Sequence, residues 1–165
     1  MSNPRSVLVV DDQAPFRLAA RAVLRRLDGF EFAGEASSGP QAIELVDTLH
    51  PSLILMDINM PEMNGIEATR RIVAGHPDVA VILCSTHDPK DLPAEAAASG
   101  AIAYVSKEHL AADTIRELWE TRTSGHFVSR CPWSHLVMIR RLSGAAWSPA
   151  PCATASRGCA RSTAR

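Results

Sequence analysis

Over its first 121 residues the chain alternates short apolar runs with stretches of helical period. Val7–Val10, Leu53–Met56, Val79–Cys84 and Ala101–Val105 are unbroken or nearly unbroken apolar runs of four to six residues. Runs of that length suit strands buried on both faces. The third ends abruptly in Asp57, and Pro61, Asn64 and Gly65 close the turn that follows. Glu31–Ala36 instead alternates and carries acids, which predicts a shorter strand at a sheet edge. Between these runs the apolar residues change period. Phe16, Ala19, Ala20, Val23, Leu24 and Leu27 predict a helix opened by Pro15 and stopped by Gly29. Ala42, Ile43, Leu45, Val46 and Leu49 predict a second, opened by Ser38-Gly39-Pro40 and ended by His50-Pro51. A third runs over 65–75, an alanine-rich fourth over 91–99 with Pro93 in its first turn, and a fifth over 109–121.

Five strands alternating with five helices imply an α/β fold: a parallel sheet with helices on both faces. Hydrophobic residues make up 46% of the 165, enough for a core. No apolar stretch reaches the roughly 18–20 residues of a membrane span, and no signal segment precedes the first strand, so a soluble cytoplasmic protein is expected. The turn after the first strand, Asp11-Asp12-Gln13-Ala14, is acidic where a nucleotide site would be rich in glycine.

The net charge of -1 hides an asymmetry. Residues 1–120 hold 10 Lys/Arg against 18 Asp/Glu, whereas residues 121–165 hold 7 Arg and no acid. The break predicts a domain over 5–121 and a basic tail over 122–165. Pro132, Pro149, Pro151, Gly144 and Gly158 interrupt any long helix there, so the tail is expected to be largely disordered. Only Trp133–Leu142 could form a short helix. His126, Cys131, His135, Cys152 and Cys159 lack any C-x-x-C pair, a weak zinc signal, and a disulfide is not expected in the cytoplasm.

The chemistry lies at the strand ends. The first strand ends in Asp11-Asp12, the third in Asp57, the fourth in Ser85-Thr86 and the fifth in Ser106-Lys107. The carboxyl ends of parallel strands share one edge, so these residues converge. Two carboxylates at 4 Å repel by about 4 kcal/mol at an effective dielectric near 20. A hard divalent cation such as Mg²⁺, together with Lys107, would offset that repulsion. The same set suits phosphoryl transfer: Asp57 as nucleophile, the cation and Lys107 neutralising charge, and the Ser85 hydroxyl donating to a phosphoryl oxygen.

Asp11-Asp12, Asp57 with Met60-Pro61 and Gly65, Ser85, Tyr104 and Lys107 together resemble the CheY-like receiver domain of two-component response regulators. The resemblance implies a flavodoxin-like five-stranded sheet in the order 2-1-3-4-5 and Mg²⁺ at the acidic cluster. It makes Asp57 the phosphoacceptor of a sensor histidine kinase. Asp12 would bind Mg²⁺ directly, Asp11 mainly through water, and the Asn59 backbone carbonyl would be the third protein ligand. Ser85 and Tyr104 would form the switch, with the serine drawn towards the phosphate and the aromatic turning inward. The fourth helix, fifth strand and fifth helix would then present an altered face, one through which the resemblance allows a homodimer. Lys107 is followed by Glu108 rather than proline, as in receivers of NarL/FixJ-type regulators, and a trans bond is expected there. A DNA-binding output of that kind needs about 60 residues, and the 44 after Thr121 do not read like one, so DNA binding by this chain is not expected. A truncated or degenerate NarL/FixJ regulator is the alternative. A metal-dependent phosphatase is a third reading, weakened because Asn59 stands where such enzymes place a second acid. The expected activity is therefore not that of an enzyme: at most slow autodephosphorylation.

Overall fold

The apolar runs become strands. The computed structural model describes residues 4–87, 91–122, 127–131 and 134–139. Strands β1 (Arg5–Val10), β2 (Phe30–Ala36), β3 (Leu53–Asp57), β4 (Ala80–Ser85) and β5 (Ala103–Ser106) pair in parallel in the order β2-β1-β3-β4-β5. This is the flavodoxin-like order. The acid-bearing β2 lies at the edge, as its alternation predicts, and a register shift against Val7/Leu8 bends it.

Successive strand residues point to opposite faces, and each face packs its own helices. Leu8, Val10, Ile54 and Met56 join Ala42 and Val46 of α2 (Gly39–Leu49), Ile66 and Ile72 of α3 (Gly65–Gly75) and Ala96 of α4 (Ala94–Ala98). Val7, Val9, Leu53 and Leu55 join Ala20 and Leu24 of α1 (Ala14–Leu24) and Ile115, Leu118 and Trp119 of α5 (Ala112–Thr121). The result is three layers with the sheet buried in the middle.

Helix starts follow their caps. Ser38 Oγ accepts the Gln41 N–H at 3.4 Å, and Asn64 Oδ1 accepts the Glu67 N–H at 2.8 Å. Three helices are shorter than their sequence pattern, and α1 ends at Leu24, ahead of Leu27 and the expected stop at Gly29. α4 begins only at Ala94, because Pro93 has an extended ψ of 142° and serves as the residue before the first turn. α5 begins at Ala112, because Lys107–His109 form a 3₁₀ turn that points Lys107 back over the sheet.

The tail differs from expectation. β6 (Phe127–Cys131) pairs parallel to β5, and β7 (Ser134–Ile139) pairs antiparallel to β6, giving a seven-stranded sheet. The segment read as a short helix over 133–142 is thus a strand in its described part. Phe127-Val128 and Leu136-Val137-Met138-Ile139 are rich in strand-forming types, and the open edge of β5 offers them a ladder. The expectation of disorder over 140–165, and any grouping of His126, Cys152 and Cys159, lies outside the described residues.

The turn after β3 has one non-negotiable residue. A Cβ on Gly65 would lie 1.9 Å from the backbone oxygen of Asp57 and 2.8 Å from its carbonyl carbon. The neighbour is backbone, so no side chain can move to make room. Gly65→Ala is expected to destabilise the fold by about 2 kcal/mol or more. Gly75→Ala, where the added Cβ meets nothing within 4 Å, should be neutral or stabilising by about 0.5–1 kcal/mol. Paired urea melts of the two variants check both values.

Candidate functional site

Four strand ends bring the polar residues together. Asp11 follows β1 directly, and its N–H continues the ladder to the Ala36 carbonyl at 3.0 Å. Asp57 is the last residue of β3, Ser85 the last of β4, and Lys107 follows the last residue of β5. Asp57 pairs in register with Cys84, and Ser85 with Ser106, so the ends lie level. Burial pushes the Cys84 thiol pKa up, which keeps it protonated and inert beside the acids.

Asp11 and Asp57 are buried, whereas Asp12 is exposed at the rim. One carboxylate oxygen from each lies within 4.8 Å of the others. Lys107 Nζ bridges the buried pair, 2.6 Å from Asp11 Oδ2 and 3.2 Å from Asp57 Oδ1. It also sits 4.8 Å from the centroid of the Phe16 ring, which adds a cation–π contact from α1. Asp11 is further fixed by the Gln13 N–H on Oδ1 at 2.9 Å. Its backbone carbonyl accepts Arg17 Nη1 at 2.7 Å. Arg17 is therefore not one of the solvated arginines of the α1 surface: it turns inward and also meets Glu35 at 3.4 Å.

The electrostatics are unequal. Burial raises the Asp57 pKa, Asp11 raises it further, and the opposing attraction of Lys107 does not cancel the two. Burial also disfavours the Lys107 ammonium, but its bond to Asp11 and the charges of both acids outweigh that and hold its pKa above the usual lysine value. Apart from the Lys107 ammonium at 3.2 Å and the Asn59 backbone, the buried Asp57 oxygens have no partner. A buried carboxylate so sparsely partnered, beside two more acids, fits a hard cation, and this acidic pocket could hold one.

The remaining predicted residues lie alongside. Asn59 follows β3, and its side chain donates to Ser85 Oγ at 3.1 Å. Tyr104 is fully buried on β5, and its hydroxyl donates to the His87 carbonyl. Lys107–Glu108 is trans, as expected, since no described peptide bond is cis. Three participants were missed by sequence reasoning. Phe16 and Arg17 were read only as helix-face residues, and His87 was not singled out. His87 stands two residues after Ser85, in the loop beyond a strand end that the sequence had already marked.

The raised Asp57 pKa has a stability consequence. An acid whose pKa is higher folded than unfolded favours folding while protonated, and that contribution is lost as pH rises from the unfolded value of about 3.8 through the folded one. Asp57→Asn is therefore expected to stabilise the metal-free protein by about 1–3 kcal/mol at pH 7, the cost of one unsatisfied buried group. The gain should shrink as pH falls towards 4. Thermal melts of both proteins across that range, in EDTA, check the sign.

The response regulator receiver domain model matches residues 7–119. The transcriptional regulatory protein DegU of Brevibacillus brevis is 37% identical over 115 residues, covering 70% of this chain and 48% of DegU. The chemotaxis protein CheY of Thermotoga maritima is 38% identical over 103 residues, 62% of this chain and 85% of CheY. The chain thus spans about half the length of DegU and most of CheY. Among solved structures, the response regulator domain of Thermotoga maritima CheB superposes with a TM-score of 0.61 at 30% identity, covering 73% of this chain and 95% of that one. The receiver domain of the putative response regulator NarL from Mycobacterium tuberculosis superposes with a TM-score of 0.66 at 25% identity, covering 73% and 98%. With its acids, lysine and serine at the expected strand ends, this chain belongs to the response regulator receiver domain family.

Proposed function

We propose that Asp57 accepts a phosphoryl group from the phosphohistidine of a sensor histidine kinase, and that the adduct switches a protein-interaction surface. The observation that carries this reading is the buried Asp57 carboxylate, grouped with Asp11 and Asp12 and met by the Lys107 ammonium at 3.2 Å. An Asp57 oxygen attacks phosphorus, the O–P bond forms as the N–P bond of the donor breaks, and the departing imidazole takes up a proton. Lys107 is placed to neutralise the oxygens of the transferring group, and Ser85 can donate to one of them once its hydroxyl turns towards Asp57. Asp11, Asp12, Asp57 and the backbone carbonyl of Asn59 would hold Mg²⁺. When bound, Mg²⁺ supplies the positive charge that the three acids and the phosphoryl group together require.

The chain acts as a stoichiometric switch rather than a turnover catalyst. A metal-dependent phosphatase is disfavoured, because Asn59 replaces the second acid near the nucleophile and the remaining acids sit on another strand. DNA binding is not assigned to this chain; the described residues beyond 122 form β6 and β7. A second copy could dock on the face of α4, β5 and α5, although β6 runs along the edge of β5. No described helix is long and apolar enough to cross a membrane, and a cytoplasmic location fits a partner of the kinase.

Intact-protein mass after incubation with Mg²⁺ and acetyl phosphate tests the reading. One phosphoryl adduct is expected, absent from Asp57→Ala and from samples in EDTA. Lys107→Ala should slow adduct formation by about 10²-fold or more, the usual effect of removing one preorganised charge donor. An adduct that persists in Asp57→Ala overturns the assignment.

A further inference from the structure

One contact of the Lys107 ammonium is not made to an acid. An ammonium carries three hydrogens and has no acceptor site. Its oxygen partners are Asp11 Oδ2 at 2.6 Å and Asp57 Oδ1 at 3.2 Å, with no third among the described residues. Nζ also lies over the Phe16 ring, 4.8 Å from its centroid. The lysine side chain is only 8% exposed, so little water competes for the cation there. A desolvated cation gains more from an aromatic face than an exposed one does.

The turn after β1 aims that ring. The Gln13 N–H donates to Asp11 Oδ1 at 2.9 Å, and the Phe16 N–H donates to the Gln13 carbonyl at 3.1 Å. Arg17, the next residue, donates to the Asp11 carbonyl at 2.7 Å. The chain is thus tied to the end of β1 on both sides of Phe16, and the ring packs on the core face that α1 and α5 cover.

The contacts of Nζ differ in what phosphoryl transfer does to them. Once an Asp57 oxygen is bonded to phosphorus, the side chain no longer offers the lysine a full carboxylate charge, and the ammonium is needed at the phosphoryl oxygens. A hydrogen bond to an acid occupies a donor, whereas a ring face attracts the charge and leaves the hydrogens free to be redirected.

We propose that Phe16 is a positioning residue for Lys107: its ring holds the ammonium beside the acids without claiming a hydrogen that the transferring phosphoryl group needs. This rests on the receiver reading above and deepens it. A leucine would fill much of the same space but present no negative face.

The test places phenylalanines with one, two or three ring fluorines at position 16, which drains negative charge from the ring face and barely alters its shape. The initial rate of adduct formation with acetyl phosphate and Mg²⁺, followed by intact mass, should fall stepwise with fluorine number. For the trifluoro ring the loss should be roughly two- to tenfold, in the range of one cation–π contact. Phe16→Leu should be similarly slow, and Phe16→Tyr should keep the wild-type rate. In a Lys107→Ala background the fluorine series should be flat. A rate indifferent to fluorination overturns the proposal, as does a stepwise fall that survives Lys107→Ala. A wild-type protein that forms no adduct overturns the receiver reading and the proposal with it, a result distinct from equal rates across the series.

Discussion

Two buried carboxylates bridged by one lysine set the terms for the rest of this molecule. Asp11 and Asp57 could not both stay ionised inside an α/β core without Lys107 at 2.6 and 3.2 Å. That requirement reaches into the surrounding fold. It pulls the chain after β5 into a 3₁₀ turn and delays α5. It places the Phe16 ring of α1 beside the ammonium, and it engages Arg17 at the Asp11 carbonyl. The lysine satisfies Asp11 more fully than Asp57, and the imbalance leaves one acid poised for a ligand.

The apolar part of the fold was legible because it is periodic. Five parallel strands in the order 2-1-3-4-5, with the acid-bearing strand at an edge, follow from run length, alternation and turn residues. The acids, the serine and the lysine were legible because parallel strands bring their carboxyl ends to one edge. What escaped is set by tertiary partners. Arg17 reads as one more arginine on a basic helix face, and only the fold shows that a backbone carbonyl claims it. His87 has no periodicity and no motif, and its contacts depend on where Ser85 and Asn59 meet. The stretch over 134–139 misled for a related reason: its apolar residues suit a short helix or a strand, and only the pairing with β6 decides for the strand.

Polar precision at the sheet edge depends on apolar rigidity beneath it. Residues 53–56 of β3 are fully buried, and each face of the strand is gripped by a different set of helices. Asp57 therefore has little freedom along or across the sheet. Gly65 closes the turn against the Asp57 carbonyl from the other side. Apart from Lys107, Asp57 is held by packing rather than by hydrogen bonds.

The β6–β7 pair changes what the sheet presents to its surroundings. A five-stranded receiver exposes β5, the strand that carries Tyr104, as its outer rim. Here Tyr104 pairs with Ser129, and among the described residues the rim is β7, which runs antiparallel to its neighbour. The strand that carries Tyr104 is thus an interior strand. Among the described residues, a partner that adds a strand to this rim would meet β7 and not the strand that carries Tyr104, so strand pairing there is separated from the acidic strand ends by β4, β5 and β6.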